Sequence, residues 1–292
     1  MERQDLLRTG KLHPGKGIFA LERYISYDTI LRAGFKMLGM ANQGRRNFLD
    51  VRVVERNCFI PRLPKIFEGF RLLHLSDLHL DLDPGLLPVL KTLLPTLSHD
   101  AAVVTGDFRE GTRRDWGEAI RMTSELMPYL SSSRWAVLGN HDLLEMVPDL
   151  EEAGLPFLMN EAISITRQRQ RIWIAGVDDA HLFESHDLSR ARARILEGEC
   201  SILLSHTPEI AEEAACHGFD LMLSGHTHAG QICLPGGRAI AVPAKGLPKE
   251  RVGGFWKLDS MYGFTSPGTG SCGVAARFNC PPEITLHILT RA

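Results

Sequence analysis

The sequence contains no Cys-x-x-Cys pair and no apolar run long enough to cross a bilayer. A spanning helix takes about 20 apolar residues, so a conventional transmembrane helix is excluded; without paired thiols nothing suggests a zinc ribbon or a redox dithiol. The six cysteines, Cys58, Cys200, Cys216, Cys233, Cys272 and Cys280, therefore read as reduced, mostly buried thiols and not as a disulfide framework. Aromatic residues make up only 7%, and 33 Lys and Arg nearly cancel 35 Asp and Glu. A secretory signal is also missing, because Arg8, Lys11, Lys16, Glu22 and Arg23 interrupt any apolar stretch near the N-terminus. What remains, 292 residues with 44% hydrophobic and 23% charged, is the composition of a globular, cytoplasmic protein of one large domain or two small ones.

The near-neutral total hides a split. Residues 1–65 carry 13 Lys and Arg against 6 Asp and Glu, a net +7, which leaves −9 for residues 66–292. An acidic main body without a basic-aromatic face argues against nucleic acid as a partner, while the basic segment suits an anionic partner. Pro14, Gly10, Gly15 and Gly17 make residues 1–17 a loose arm. From Leu21 to Leu38 the apolar residues Leu21, Tyr24, Ile25, Leu31, Phe35 and Leu38 recur at helical spacing, accompanied by Arg23, Arg32 and Lys36. Two readings stand side by side: a helix packed on the protein body, or a basic amphipathic helix lying on an anionic membrane surface. Residues 61–64, Pro-Arg-Leu-Pro, read as the joint between a basic N-terminal arm, residues 1–65, and a main domain, residues 66–292.

After Pro64 the pattern changes to short runs of Val, Ile and Leu, each followed by a helix-like segment, which is the mark of β-α units. The expected strands are Phe70 to Ser76, Ala101 to Thr105, Trp135 to Leu138, Ile172 to Ala175, Ser201 to Leu204 and Leu221 to Leu223. Helices are expected near 86–98, 115–130, 188–197 and 208–216. A last group, near 240, 254–258, 262–265 and 283–289, has no helical pattern between its members and reads as antiparallel.

Polar residues gather where these strands end. Asp77 and His79, Asp107, Asn140 and His141, His206, and His226 and His228 each follow one of them. In an α/β sheet the carboxyl ends of strands open on one crevice, where ligands bind. Oxygen and imidazole donors in that number suit a two-metal centre, with Asp107 as the carboxylate between the ions. Asp-x-His and His-x-His would put two donors on one side of an extended segment. Gly106, Gly139 and Gly225 would let the chain turn sharply before Asp107, Asn140 and His226.

The blocks Asp77-Leu78-His79, Gly106-Asp107, Gly139-Asn140-His141-Asp142, His206 and Gly225-His226-Thr227-His228 resemble, in order and spacing, the five signature blocks of the calcineurin-like metallophosphoesterase superfamily. The resemblance covers about residues 66–290. It implies an α/β, four-layer α-β-β-α sandwich of two mixed sheets. It further implies one metal held by Asp77, His79 and His228, a second by Asn140, His206 and His226, and Asp107 shared. His141 would stabilise the transition state and protonate the leaving oxygen, and the nucleophile would be a water between two divalent ions, Mn²⁺ expected, with Fe or Zn also suited. Ala229 and the pair Phe108 and Arg109 depart from the commonest pattern without touching a ligand.

Arg109 is a candidate for a bidentate contact with a substrate phosphate. Asp142 either orients His141 or caps the next helix, with the cap favoured. Asp178 and Asp179 fit the crevice rim or a turn or helix start equally well. His74, on the face opposite Asp77, reads as a core histidine, and His99, His181, His186, His217 and His287 as surface or structural. Three stretches, Pro64 to Leu80, Gly225 to Pro235 and Asn279 to Ile284, look most like a bacterial, membrane-associated branch that includes a UDP-2,3-diacylglucosamine hydrolase of lipid A synthesis. That resemblance suggests a lipid-linked pyrophosphate as substrate and peripheral attachment to the inner face of the cytoplasmic membrane. The alternatives are a soluble phosphodiesterase or phosphatase for nucleotides or phosphoproteins, and a non-catalytic module on the same fold.

Overall fold

A computed structural model describes residues 27–111, 115–244 and 246–291. The loose arm expected at residues 1–17 lies outside the described residues, as do Leu21, Tyr24 and Ile25. Two helices open the described chain, α1 (Tyr27–Met37) and α2 (Ala41–Leu49), followed by β1 (Arg52–Ile60) and β2 (Arg71–Leu75). Then come α3 (Leu86–Leu93), β3 (Ala101–Thr105), α4 (Gly117–Ser124), β4 (Arg134–Val137), α5 (Val147–Glu152), β5 (Glu161–Arg167) and β6 (Gln170–Gly176). The remainder is α6 (Leu188–Arg192), β7 (Ser201–Leu204), α7 (Ala211–Cys216), β8 (Leu221–Ser224), the ribbon β9 (Cys233–Leu234) and β10 (Arg238–Ala239), β11 (Gly254–Leu258), β12 (Met261–Thr265) and β13 (Glu283–Arg291).

The strands form two mixed sheets, ordered β1-β13-β2-β3-β4 and β11-β12-β8-β7-β6-β5. Strands β3, β7 and β8 are buried at every residue, as expected for parallel strands covered on both faces. Because side chains alternate along a strand, each central strand feeds two cores. Leu72, Val103 and Val137 of the first sheet meet Ile174, Ile202, Leu204 and Leu223 of the second in the core between the sheets. On the outer face of the first sheet, Leu73, Val104 and Ala136 pack with Leu90 of α3, Met122 of α4 and Leu150 of α5. On the outer face of the second, Trp173, Leu203 and Met222 pack with Leu188 of α6 and Ala214 of α7. The layers are therefore α-β-β-α.

Three sequence expectations are corrected here. Strand β1 pairs with β13 at nine positions, so the sheet already begins on the arm side of the boundary drawn at residue 65. Its polar centre disguised it: Glu55 and Arg56 are surface positions on an edge strand, bonded to Arg71 at 2.6 Å and Glu283 at 2.8 Å. The last strand group is antiparallel only in part, since β12 runs parallel to β8 and β13 parallel to β1. Strand β5 and helices α2 and α5 were not anticipated, β5 because it is an edge strand with only Ala162 buried.

Of the two readings of the N-terminal helix, packing on the body applies to α1. Leu31 and Phe35 rest on Val274, Ala276 and Phe278, with the Phe35 and Phe278 rings 5.3 Å apart. Arg32 donates to the Gly273 carbonyl at 2.6 Å. Met37 and Leu38, beyond this contact, are 87% and 71% exposed. No helix among the described residues is long and apolar enough to cross a membrane.

Candidate metal centre

The eight strand-end residues converge on one crevice at the carboxyl edges of β2, β3, β4, β7 and β8. They do not reach it by strand alternation. Asp77, His79, Asp107, His226 and His228 all have positive φ, between 38° and 69°. Such backbone costs about 1–3 kcal/mol for each non-glycine residue and persists only where the surroundings enforce it. Of the three glycines, Gly106 alone uses positive φ, at 82°. Gly139 and Gly225 are needed for space instead. A Cβ on Gly139 would strike the Asp107 carboxylate and lie 2.6 Å from the Asp107 nitrogen, and one on Gly225 would strike Ser76 and the Asp77 carboxylate.

Two backbone carbonyls orient the imidazoles. His79 donates from Nδ1 to the Arg109 carbonyl at 2.7 Å, and His206 from Nδ1 to the Thr105 carbonyl at 2.7 Å. A carbonyl only accepts, so each ring carries a proton on Nδ1 and turns its Nε2 inward, the nitrogen that would take a metal. Both Nε2 atoms face one oxygen: Asp107 Oδ2 is 3.5 Å from His79 Nε2 and 3.3 Å from His206 Nε2. Asn140 Oδ1 lies 3.0 Å from His206 Nε2, and His228 Nε2 lies 3.5 Å from Asp77 Oδ1. Donor atoms of Asp77, His79 and Asp107 lie within 4.8 Å of one another, as do those of Asp107, His206 and His226. Asp107 belongs to both groups.

The donors fit divalent ions. His79 Nε2 and His226 Nε2 are buried without a hydrogen-bond partner, a costly arrangement for polar atoms unless a cation completes it. Burial would push the Asp107 carboxyl up, but the rings of His206, His141 and His79 outweigh it and hold the carboxyl well below its usual range. Burial likewise opposes charge on His206, yet Asp107 and Asp77 raise it to about 10. Burial pushes His79 down to about 3 and, with Arg277 beside it, holds His228 well below the usual histidine range. Asp77, buried and close to Asp107, is pushed up to about 6.

His141 stands at the partly exposed side. Its backbone N–H donates to Asp107 Oδ1 at 2.9 Å, and its Nδ1 accepts from the Gly111 N–H at 2.8 Å. In the neutral ring the proton is therefore on Nε2, 4.0 Å from Asp107 Oδ2. Asp142, fully buried, bonds to the backbone of the ligand loops. Its carboxylate accepts from the N–H groups of Asp107, Phe108 and Gly139 at 2.8, 2.9 and 2.8 Å, clamping two ligand loops together. Arg109 is fully buried; its guanidinium donates to the Gly111 carbonyl and lies 5.9 Å from the Trp116 ring. Asp179 builds a turn, accepting from the N–H groups of Leu182 and Phe183 at 2.7 Å each.

Sequence reasoning missed four neighbours. Glu110 Oε2 is 3.3 Å from His79 Nδ1, and the ring of His181, bound to Glu209 at 2.6 Å, lies tilted 4.2 Å from that of His226. Buried Arg277 donates to the His228 carbonyl at 3.0 Å and contacts its Nδ1 at 3.2 Å. Cys272 Sγ lies 3.8 Å from His141 Nε2. Glu110 is close to Asp107 in sequence and so was findable; residues 272 and 277 carry no local signal.

A four-layer sandwich with carboxylates and imidazoles gathered at its strand ends defines a metal-dependent phosphoesterase. Residues 70–230 match the calcineurin-like phosphoesterases, and the chain belongs to that family, a metal-dependent hydrolase. It is similar to the uncharacterized metallophosphoesterase YkoQ of Bacillus subtilis, with 28% identity over 84% of this chain and 93% of that protein. An uncharacterized metallophosphoesterase of Aquifex aeolicus is 30% identical over 81% of this chain and 90% of its own length. A transmembrane protein with metallophosphoesterase domain from Danio rerio is 28% identical over 90% of this chain and 62% of its own length.

Proposed function

We propose that the protein hydrolyses a phosphodiester or pyrophosphate bond at a dinuclear centre. Asp77, His79 and His228 would hold one ion, Asn140, His206 and His226 the other, and Asp107 would contribute to both. The observation that carries this reading is the single Asp107 oxygen lying 3.3 Å from His206 Nε2 and 3.5 Å from His79 Nε2. Two divalent ions, Mn²⁺ by resemblance, would neutralise phosphate charge and lower the pKa of a water between them. His141 keeps its proton on Nε2, through the Gly111 N–H on Nδ1, and delivers it to the leaving oxygen. Asp142 holds the Asp107 and Asn140 loops in register, so the donors need no rearrangement as the reaction proceeds.

The substrate we assign is a lipid-linked pyrophosphate, UDP-2,3-diacylglucosamine in the first instance, met at the membrane surface. The basic balance of residues 1–65 supports this, as do the apolar side chains of Met37, Leu38, Leu234 and Ile240, all exposed. The relative from Danio rerio that is named a transmembrane protein is consistent with it. The test is hydrolysis of bis(p-nitrophenyl) phosphate and of UDP-2,3-diacylglucosamine by metal-stripped protein reloaded with Mn²⁺. Both should be cleaved, and His141→Ala should lower kcat by about 10²–10⁴-fold with the Mn²⁺ content unchanged. Cleavage of the diester alone keeps the reaction and replaces the substrate with a soluble nucleotide or phosphoprotein. No cleavage of either by Mn²⁺-loaded protein overturns the reading.

A further inference from the structure

We propose that Cys272 supplies a sulfur ligand to the ion beside His79 and His228, giving that position a mixed oxygen, nitrogen and sulfur donor set. The proposal rests on the dinuclear reading above and deepens it. Cys272 Sγ, a ring nitrogen of His79 and one of His228 lie within 4.8 Å of one another. Donors on one ion, at bond lengths of about 2.0–2.3 Å, stand roughly 3.3–3.8 Å apart, so a small closure brings all three onto a common centre. The second observation is His79 itself, whose Nε2 is buried and has no hydrogen-bond partner.

The thiol is delivered by a pinned loop. Gln231 brackets Cys272, accepting its N–H at 2.9 Å and donating to its carbonyl at 3.0 Å. The next residue, Gly273, donates to Glu110 at 3.0 Å and accepts from Arg32 of α1 at 2.6 Å. Two residues upstream, the Gly270 N–H donates to the Asp77 carbonyl at 2.9 Å, tying the loop to a ligand segment. The competing role for the thiol is a hydrogen bond, since Glu110 Oε1 is 3.9 Å and His141 Nε2 3.8 Å away. Which role holds decides metal choice: a thiolate favours Zn²⁺, Fe²⁺ or Co²⁺ over Mn²⁺.

The experiment is a Co²⁺ titration of the reduced, metal-stripped full chain, followed by absorption. The expected result is visible d–d bands together with a near-ultraviolet sulfur-to-cobalt band. Cys272→Ser should lose the near-ultraviolet band, keep the visible bands, and lose about tenfold or more in Zn²⁺ affinity with Mn²⁺ affinity changed less than about threefold. Cys216→Ser, at the exposed cysteine, should keep every band. Visible bands without a sulfur band in the unaltered protein, or a sulfur band that survives Cys272→Ser, overturn the proposal and leave the dinuclear reading standing. Absence of the visible bands as well would overturn the dinuclear reading itself. Loss of all bands in Cys272→Ser with the far-ultraviolet circular dichroism intact would make the thiol indispensable to the site and support the proposal.

Discussion

His74 and His79 lie five residues apart, on β2 and just beyond its end, and burial pushes both rings down to about 3. Their surroundings have little in common. His74 points into the core between the sheets, where Nε2 meets the Thr105 hydroxyl at 2.8 Å and Nδ1 meets His287 Nε2 at 3.4 Å. Both of its nitrogens have neighbours of matching chemistry, and burial is what shifts the ring. His79 spends one nitrogen on a carbonyl and leaves the other, buried and unpartnered, 3.5 Å from a carboxylate. Burial alone therefore does not mark a histidine as functional. The mark is an incomplete set of partners facing an anionic atom, a combination that a cation completes.

The sharpest way to break this contrast is to remove the anionic atom. Asp107→Ala takes away the oxygen common to both groups of donors, and activity should fall by about 10⁴-fold or more, some 5.5 kcal/mol. Metal content should fall with it, measured by elemental analysis after dialysis. Retention of two ions per chain would refute a shared role. Next in size is Asp142→Ala, which strands three buried N–H groups and removes the clamp between loops. At about 1 kcal/mol for each, urea unfolding should show a loss near 3 kcal/mol. A loss below about 1 kcal/mol would mean that water replaces the carboxylate and the clamp is dispensable.

The same contrast explains what the sequence could disclose. Strands β3 and β7 were legible to the residue because they are continuous apolar runs buried on both faces. Edge strands β1 and β5 were not, since exposed polar positions dilute any pattern there. The strand-end residues were legible because each follows its strand directly, and they do meet in one crevice. The manner of their meeting was hidden: left-handed backbone at Asp77 and His79 replaces the expected alternation. Residues joined to the crevice only through tertiary contact left no trace. Arg277 and Cys272 reach it on a loop that enters some 190 residues after Asp77, positioned by Gln231, Glu110 and Arg32. Arg109 was singled out for its side chain, but the bond it makes to a ligand runs through its carbonyl, which orients His79.

The smallest predicted effect tests the other side of the comparison, the core pair. Burial lowers His74 to about 3 and, with His74 and Arg56 adding to it, holds His287 well below the usual histidine range. Both rings are thus neutral when folded, while the unfolded chain protonates them near pH 6.5. Below that pH the unfolded state binds the extra protons, so stability is present in full above about 6.5 and is lost as pH falls. Each ring should contribute a slope of about 1.4 kcal/mol per pH unit between 6 and 4. His74→Gln keeps a polar group near Thr105 and removes one titrating site, so the difference in unfolding free energy from the unaltered protein should shift by that amount per unit. Arg71, Arg56 and Glu283 on the surrounding strands, and Glu68 just before β2, remain in both proteins and cancel in the difference. Parallel pH profiles would show that His74 takes up its proton without leaving the core, and the distinction drawn between the two regions would fail at this position.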